Sequence, residues 1–212
     1  MQAIDDANWE PISVPDLLAI FREIDIPWWI GGGRALDLFL GRQTREHTDT
    51  DVLILRTDQL IVQEHLRGPW ELFKTNQPGL APCPQTEFLG PPVNCFWVRR
   101  PNSTWAFEVM LMETEGDEWV YRRERSIRGK IAEMGLMTDD GVPYLRPEIQ
   151  LLYKSGPNRE KDIGDLKLVL PHMSPSSTLW LLDALRTQHP EGHEWIDCIE
   201  HRRDTWTGCN SR

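Results

Sequence analysis

Residues 28–55 of the chain, WWIGGGRALDLFLGRQTREHTDTDVLIL, place four features in an order that few folds accommodate. An apolar run of strand character, Trp28 to Ile30, enters three glycines. An amphipathic segment, Arg34 to Leu40, leaves them, and the next extended run opens with Asp49 and Asp51. Glycines 31 to 33 remove the Cβ atoms that would keep a phosphate away from backbone N–H groups, and a helix starting there aims the positive end of its dipole at the same point. In an extended strand residues two apart share a face, so Asp49 and Asp51 can offer hard oxygen ligands to one Mg²⁺.

The flanking chain supplies the scaffold. Ser13-Val14-Pro15-Asp16 reads as a helix start, with a hydroxyl cap, a proline in the first turn and an acid three residues after the serine. Leu17, Leu18, Ile20, Phe21 and Ile24 follow at helical spacing, until Pro27 interrupts. Gly41 is positioned to stop the Arg34–Leu40 helix, within which Asp37 reads as structural. The polar loop 41–47 carries Arg42 and Arg45 toward the aspartates, either to hold a triphosphate or as ordinary exposed side chains. A helix over Leu60–Leu66 and a strand at Trp70–Lys74 come next, and then a proline- and glycine-rich stretch, 75–93, long enough to form a substrate-facing lid or a plain surface excursion.

Asn94–Arg100 and Thr104–Glu113 read as two strands joined by the turn 101–103. In the second, Glu108 is the only charge in the middle of Trp105-Ala106-Phe107-Glu108-Val109-Met110-Leu111. Burying a carboxylate costs several kcal/mol unless a cation or hydrogen bonds compensate. A metal held by Asp49 and Asp51 would be such a cation; an edge strand that turns Glu108 to water is the alternative. Beyond this, Arg122, Arg123, Arg125, Arg128 and Lys130 form the most basic window, read as balancing neighbouring acids, and Asp139-Asp140-Gly141 suits a hairpin turn. From Pro147 the chain reads as three helices, 148–154, 160–170 and 174–188. Lys154, Arg159, Lys161, Asp162 and Asp165 make a dense polar cluster there. Lys154 either reaches the phosphates or is solvated.

Charge and cysteine usage exclude several classes. The formal charge of −10 repels a nucleic-acid backbone and attracts cations, although acidity for solubility alone is commoner. Cys83, Cys95, Cys198 and Cys209 contain no C-x-x-C pair and read as reduced thiols rather than metal ligands. His189 to His193 imitates metalloprotease spacing, but Pro190 and Gly192 would break the helix such a site requires. The acidic N-terminus and the lack of a long apolar run argue against a signal peptide or a membrane span and predict a cytoplasmic protein.

Read together, Gly32-Gly33-x-Ala35-Leu36-Asp37, Gly41-Arg42-x-Thr44-Arg45-x-His47-x-Asp49-x-Asp51, Glu108, and the later Pro147-Glu148, Lys154 and Arg159-x-Lys161-Asp162 resemble the nucleotidyltransferase superfamily of DNA polymerase β-like fold, in particular its aminoglycoside 2″-adenylyltransferase and lincosamide nucleotidyltransferase groups. The resemblance implies an α/β (α+β) fold with a mixed sheet flanked by helices, a catalytic domain over residues 1–145 and a small helical bundle over 146–212. It implies Asp49, Asp51 and Glu108 as catalytic and metal-binding residues, with Glu108 as ligand or as general base. Gly32, Gly33, Arg45 and Lys154 would bind the nucleotide. The implied cofactor is Mg²⁺, as two ions, with ATP or another NTP as co-substrate, and the implied reaction moves a nucleoside monophosphate to a hydroxyl of a small molecule such as a cationic antibiotic, releasing pyrophosphate. Arg34 stands where drug-modifying relatives often carry an aromatic residue, and the third acid is Glu where some carry Asp. A protein or tRNA acceptor, a catalytically idle module and a glycosyltransferase using Asp-x-Asp are the competing readings. As geometry, the three acids are expected to converge facing Gly32 and Gly33.

Overall fold

A computed structural model describes residues 8–75 and 79–207, with side chains through residue 201. Helix α1 (Val14–Phe21) begins as the sequence indicates: the Ser13 hydroxyl accepts from Asp16 N at 3.2 Å. It ends at Phe21, well short of Pro27. Phe21 packs on Trp28 and Phe107, with ring centroids 5.2 and 6.2 Å away, so its buried stripe closes one side of the core.

Strand β1 (Trp28–Ile30), buried throughout, leads straight into helix α2 (Gly32–Leu40). The glycines are therefore not a turn ahead of the helix: Gly31 is its N-cap and Gly32 and Gly33 are its first two residues. Gly41 stops it at φ 67°, the left-handed conformation glycine adopts without a Cβ penalty. Strand β2 (Asp51–Leu55) and helix α3 (Gln59–Leu66) follow, then strands β3 (Glu71–Thr75), β4 (Leu80–Pro82), β5 (Cys95–Arg99), β6 (Trp105–Glu115), β7 (Glu118–Val120), β8 (Arg128–Lys130), β9 (Gly135–Met137) and β10 (Pro143–Leu145). Helices α4 (Pro147–Ser155), α5 (Glu160–Val169), α6 (Pro175–Gln188) and α7 (Glu194–Thr207) complete the chain. The sequence reading had no expectation for α7, and Cys209 lies outside the described residues.

The main sheet runs β4-β3-β5-β6-β2-β1-β10-β9, with β7 and β8 extending from the far half of β6. It is mixed: β2 runs parallel to β6 and β1 parallel to β10, and the remaining pairs are antiparallel. β6 and β2 lie at its centre with β1 beside them, and apart from Asp51 at its start β2 is apolar and buried, as a strand covered on both faces is. Helix α4 is buried along almost its whole length and packs against α2, α5 and α6. None of the described helices is long and apolar enough to cross a membrane.

The described part of the 75–93 stretch is fastened down. Its β4 pairs with β3; beyond it, the backbone N–H groups of Glu87 and Leu89 donate to the side-chain amides of Gln63 and Gln59 of α3, and their carbonyls accept from the same amides. Buried Arg56, immediately after β2, donates to Leu89 O at 2.7 Å and Val93 O at 2.8 Å and pairs with Glu113 at 2.7 Å. These anchors sit at the opposite end of β2 from Asp51, so the segment's anchored part, 87–94, braces the fold away from the acids rather than covering them.

Candidate active site

Asp51 and Glu108 are register partners on the parallel pair β2 and β6, and residues directly opposite each other point to the same face. The pairing is tied at that level by Glu108 N donating to Thr50 O at 2.9 Å and Gly31 N donating to Asp51 O at 2.8 Å. Thr50, fully buried, donates its hydroxyl to Ile12 O at 3.1 Å, which fixes the chain between Asp49 and Asp51.

The glycines have a second use that the sequence did not disclose. A Cβ on Gly32 would overlap Asp51 Oδ2, and one on Gly33 would run into the His47 ring and Arg45 Nη2. Gly32 also sits at φ 63°, where an L side chain is strained. The bare backbone thus lets the Asp51 carboxylate lie against the head of α2. Gly32 N donates to Gln150 Oε1 of α4 at 2.8 Å, which leaves Gly33 N–H and Arg34 N–H as first-turn donors with no intrahelical acceptor. Gln150 was missed from the sequence, since a lone amide in an apolar helix carries no signal of the turn it caps across 118 residues.

The electrostatics are those of crowded acids. Burial, then the charges of Glu108 and Asp49, raise Asp51 well above the ordinary aspartate range, with Lys154 and Lys161 opposing the rise. Glu108 is raised by burial and by Asp49, against hydrogen bonds from the Cys95 thiol and Trp97 and the charge of Arg122. Cys95 and Trp97 lie on β5, Trp97 opposite Glu108 in register. Burial and Glu108 in turn push the Cys95 thiol far up, so it is no nucleophile. Arg34 approaches the acids from α2, its Nε 3.4 Å from Asp49 O; burial lowers its proton affinity while Asp37, Asp49 and Asp51 raise it.

The nucleotide-binding candidates divide. Gly32 lies against Asp51 and Gly33 against His47 and Arg45, but Lys154 is buried between Asp162 and Asp165, at 3.1 and 2.8 Å. Arg45 is held by Asp165 through Nε and Nη2, both at 3.1 Å. Asp37 is structural, accepting from Thr44 N at 3.0 Å and Thr44 Oγ1 at 2.6 Å and pairing with His47 Nε2 at 2.6 Å. His189 and His193 stack at 4.4 Å, and His193 Nδ1 accepts from Trp195 N at the start of α7. Among the described residues no three His, Cys, Asp or Glu side chains are gathered tightly enough to hold a metal ion as they stand. Asp49, Asp51 and Glu108 share one end of the sheet and feel one another's charge, without forming a closed cage.

The topology corresponds to the nucleotidyltransferase fold. A solved lincosamide antibiotic adenylyltransferase, LnuA, determined with lincomycin bound, superposes with a TM-score of 0.55 at 17% identity, covering 77% of this chain and 100% of that one. Residues 13–70 match the family described as aminoglycoside-2''-adenylyltransferase. A 2''-aminoglycoside nucleotidyltransferase of Klebsiella pneumoniae is 49% identical over 39 residues, 18% of this chain and 22% of that protein. One of Escherichia coli is 53% identical over 36 residues, 17% and 20% respectively. The chain therefore spans about a fifth of the length of the curated relatives it matches. It carries the nucleotidyltransferase fold, and the segment that is similar to these relatives is short.

Proposed function

We propose that the chain is a Mg²⁺-dependent nucleotidyltransferase that moves a nucleoside monophosphate, AMP from ATP in the first instance, to a hydroxyl of a small molecule and releases pyrophosphate. The observation that carries this reading is the placement of Asp51 beside Glu108 on adjacent parallel strands, with Asp49 in electrostatic reach and the Asp51 carboxylate against the glycine head of α2. Asp51 and Glu108, both raised by burial and by neighbouring carboxylate charge, with Asp49 beside them, suit a hard divalent cation, since such a charge would offset the repulsion. Asp49, Asp51 and Glu108 would hold the ion, which would supply charge neutralisation and polarisation of the phosphates.

The residues of the chain then divide the rest. Glu108, turned toward the same space as Asp51, takes the proton of the acceptor hydroxyl as its oxygen bonds to the α-phosphorus and the bond to the pyrophosphate oxygen breaks. Gly33 N–H and Arg34 N–H, with the α2 dipole behind them, face the phosphates. Residues 1–145 act as the catalytic unit, and the helices of 146–212 form a second unit that braces the glycine turn through Gln150. An aminoglycoside-like or lincosamide-like antibiotic is the proposed acceptor, taken by a cytoplasmic enzyme with access to ATP. The similarity of residues 13–70 and the acidic balance of −10 support a cationic acceptor.

The test is to incubate the protein with each NTP, Mg²⁺ and a panel of aminoglycosides and lincosamides, following pyrophosphate and the mass of the adduct, with Asp51→Asn alongside. Acceptor-dependent pyrophosphate that disappears in the variant supports the reading. An intact protein that binds no NTP sinks it.

A further inference from the structure

The basic window 122–130 is almost fully accounted for by its own neighbourhood. Arg125 and Arg128 pair with Glu115, and Lys130 pairs with Asp117 at 2.6 Å. Arg123 donates to Tyr121 Oη at 3.0 Å and to Tyr153 O at 2.9 Å. Arg122, in contrast, is half-buried and has no hydrogen bond, ion pair or ring partner among the described residues. A partly desolvated guanidinium with none of its five donors satisfied by protein is costly to the fold on its own terms.

Its surroundings show where it points. Tyr121 and Tyr153 meet edge to face at 4.8 Å, and Tyr153 Oη lies 3.6 Å from Met112 Sδ. Met112 is two strand repeats along β6 from Glu108 and shares its face. Arg122 follows Tyr121 in the chain, next to this cluster, and its charge reaches Glu108 and Cys95. A second cation, Lys161 of α5, reaches Asp51 with its charge. Lys161 is one helical turn before Asp165, on the same face of α5, and Asp165 holds Arg45 against Gly33. Lys161 is exposed and likewise unpartnered among the described residues, whereas Lys154, Arg45 and Arg159 are each committed to Asp162 or Asp165.

We infer that Arg122 and Lys161 are the cations that bind the triphosphate of the nucleotide substrate, in place of Lys154 and Arg45. The inference rests on the nucleotidyltransferase reading and assigns its phosphate contacts. Lys154 and Arg45 then shape the wall by neutralising the carboxylates behind it. An unsatisfied guanidinium is kept at this position because the ligand, not the protein, satisfies it.

The test is the affinity for MgATP, by calorimetry, of the intact protein, Arg122→Gln, Lys161→Gln and the control Lys167→Gln, which removes one positive charge further along α5. Each of the first two variants should bind roughly tenfold more weakly, the loss expected for one charge-assisted contact, and the control should bind as the intact protein does. Arg122→Gln should also melt no lower than the intact protein without ligand, because it removes an unpaired charge, and should lose the thermal shift that ATP gives. Either variant binding MgATP within twofold of the intact protein overturns the assignment while leaving the enzyme reading in place. An intact protein that binds no MgATP overturns both.

Discussion

Asp51 and Glu108 occupy facing register positions on parallel strands, and the charge of Glu108 raises the cost of ionising Asp51 in a site whose burial already disfavours charge on both. A folded-state pKa raised above the unfolded value means that the ionised group at neutral pH works against folding. Replacement by the isosteric amide removes that repulsion. Asp51→Asn is therefore expected to abolish transfer and yet, in EDTA, to melt higher than the intact protein; about 1 kcal/mol of relief corresponds to about 2–4 °C in a chain of this size. Added Mg²⁺ should raise the melting temperature of the intact protein and leave the variant where it was. Scanning fluorimetry of both proteins with and without metal reads all four values, and a variant that melts below the intact protein in EDTA counts against the charge argument.

The glycines of this chain make opposite predictions. Gly32→Ala places a methyl where Asp51 Oδ2 lies, at a left-handed φ of 63° that costs an L residue about 1–2 kcal/mol. Both stability and activity should fall, activity further, since the carboxylate must move. Gly164, in the middle of α5, has open space at its Cβ position, and there alanine should stabilise by about 0.5–1 kcal/mol. Urea titration of the two variants separates a glycine kept for close approach from one that is merely tolerated.

The contrast shows what a sequence discloses. The order of Trp28–Ile30, the glycines, Asp49, Asp51 and Glu108 made the fold legible, and pointed to acids that the fold brings to one end of the sheet, because local patterns of period two and 3.6 and a known turn chemistry carry them. Ser13 and Gly41 announced helix ends for the same reason. Lys154 and Arg45 were assigned to the nucleotide by resemblance, and in one dimension neither shows a partner. Their partner, Asp165, lies 120 residues beyond Arg45, and only packing of α5 on α2 brings them together. Gln150 and Arg122 were illegible for the converse reason: what marks them is a contact made, or left unmade, across the fold.

The Lys154 cluster carries a stability prediction. Lys154 bridges Asp162 and Asp165, all three buried, and removing one member of a buried ionic group leaves charges uncompensated. Lys154→Met should cost about 3–5 kcal/mol. Burial alone would raise both aspartates, but hydrogen bonds and charges from Arg159, Lys154 and Arg45 outweigh it and hold them below the ordinary value of 3.8. A depressed carboxylate pKa gives stability that is present above the unfolded value and lost as pH falls through the folded one. The intact protein should thus lose stability steeply below about pH 4, and the variant, whose aspartates have lost that cation, should lose less over the same interval. Denaturant midpoints at pH 3 and pH 6 give the comparison.

His47 gives a pH dependence of the same sign in a higher window. Burial lowers its pKa below 6.5, and the charges of Arg45 and Arg34 add to this, although the bond to Asp37 at 2.6 Å pulls the other way. Between the folded and unfolded values the unfolded chain binds the proton and the folded chain does not, so stability rises with pH through that interval. His193, lowered by burial and by His189, contributes in the same direction, so a single protein cannot report on His47 alone. His47→Gln keeps a donor for Asp37 and removes the titration. It is expected to lower stability at pH 7.5 through poorer packing over Gly33, and to show a smaller gain between pH 5.5 and pH 7.5 than the intact protein. Urea midpoints at the two pH values give the slopes; equal slopes would show that the buried imidazole is not the group whose proton is linked to folding.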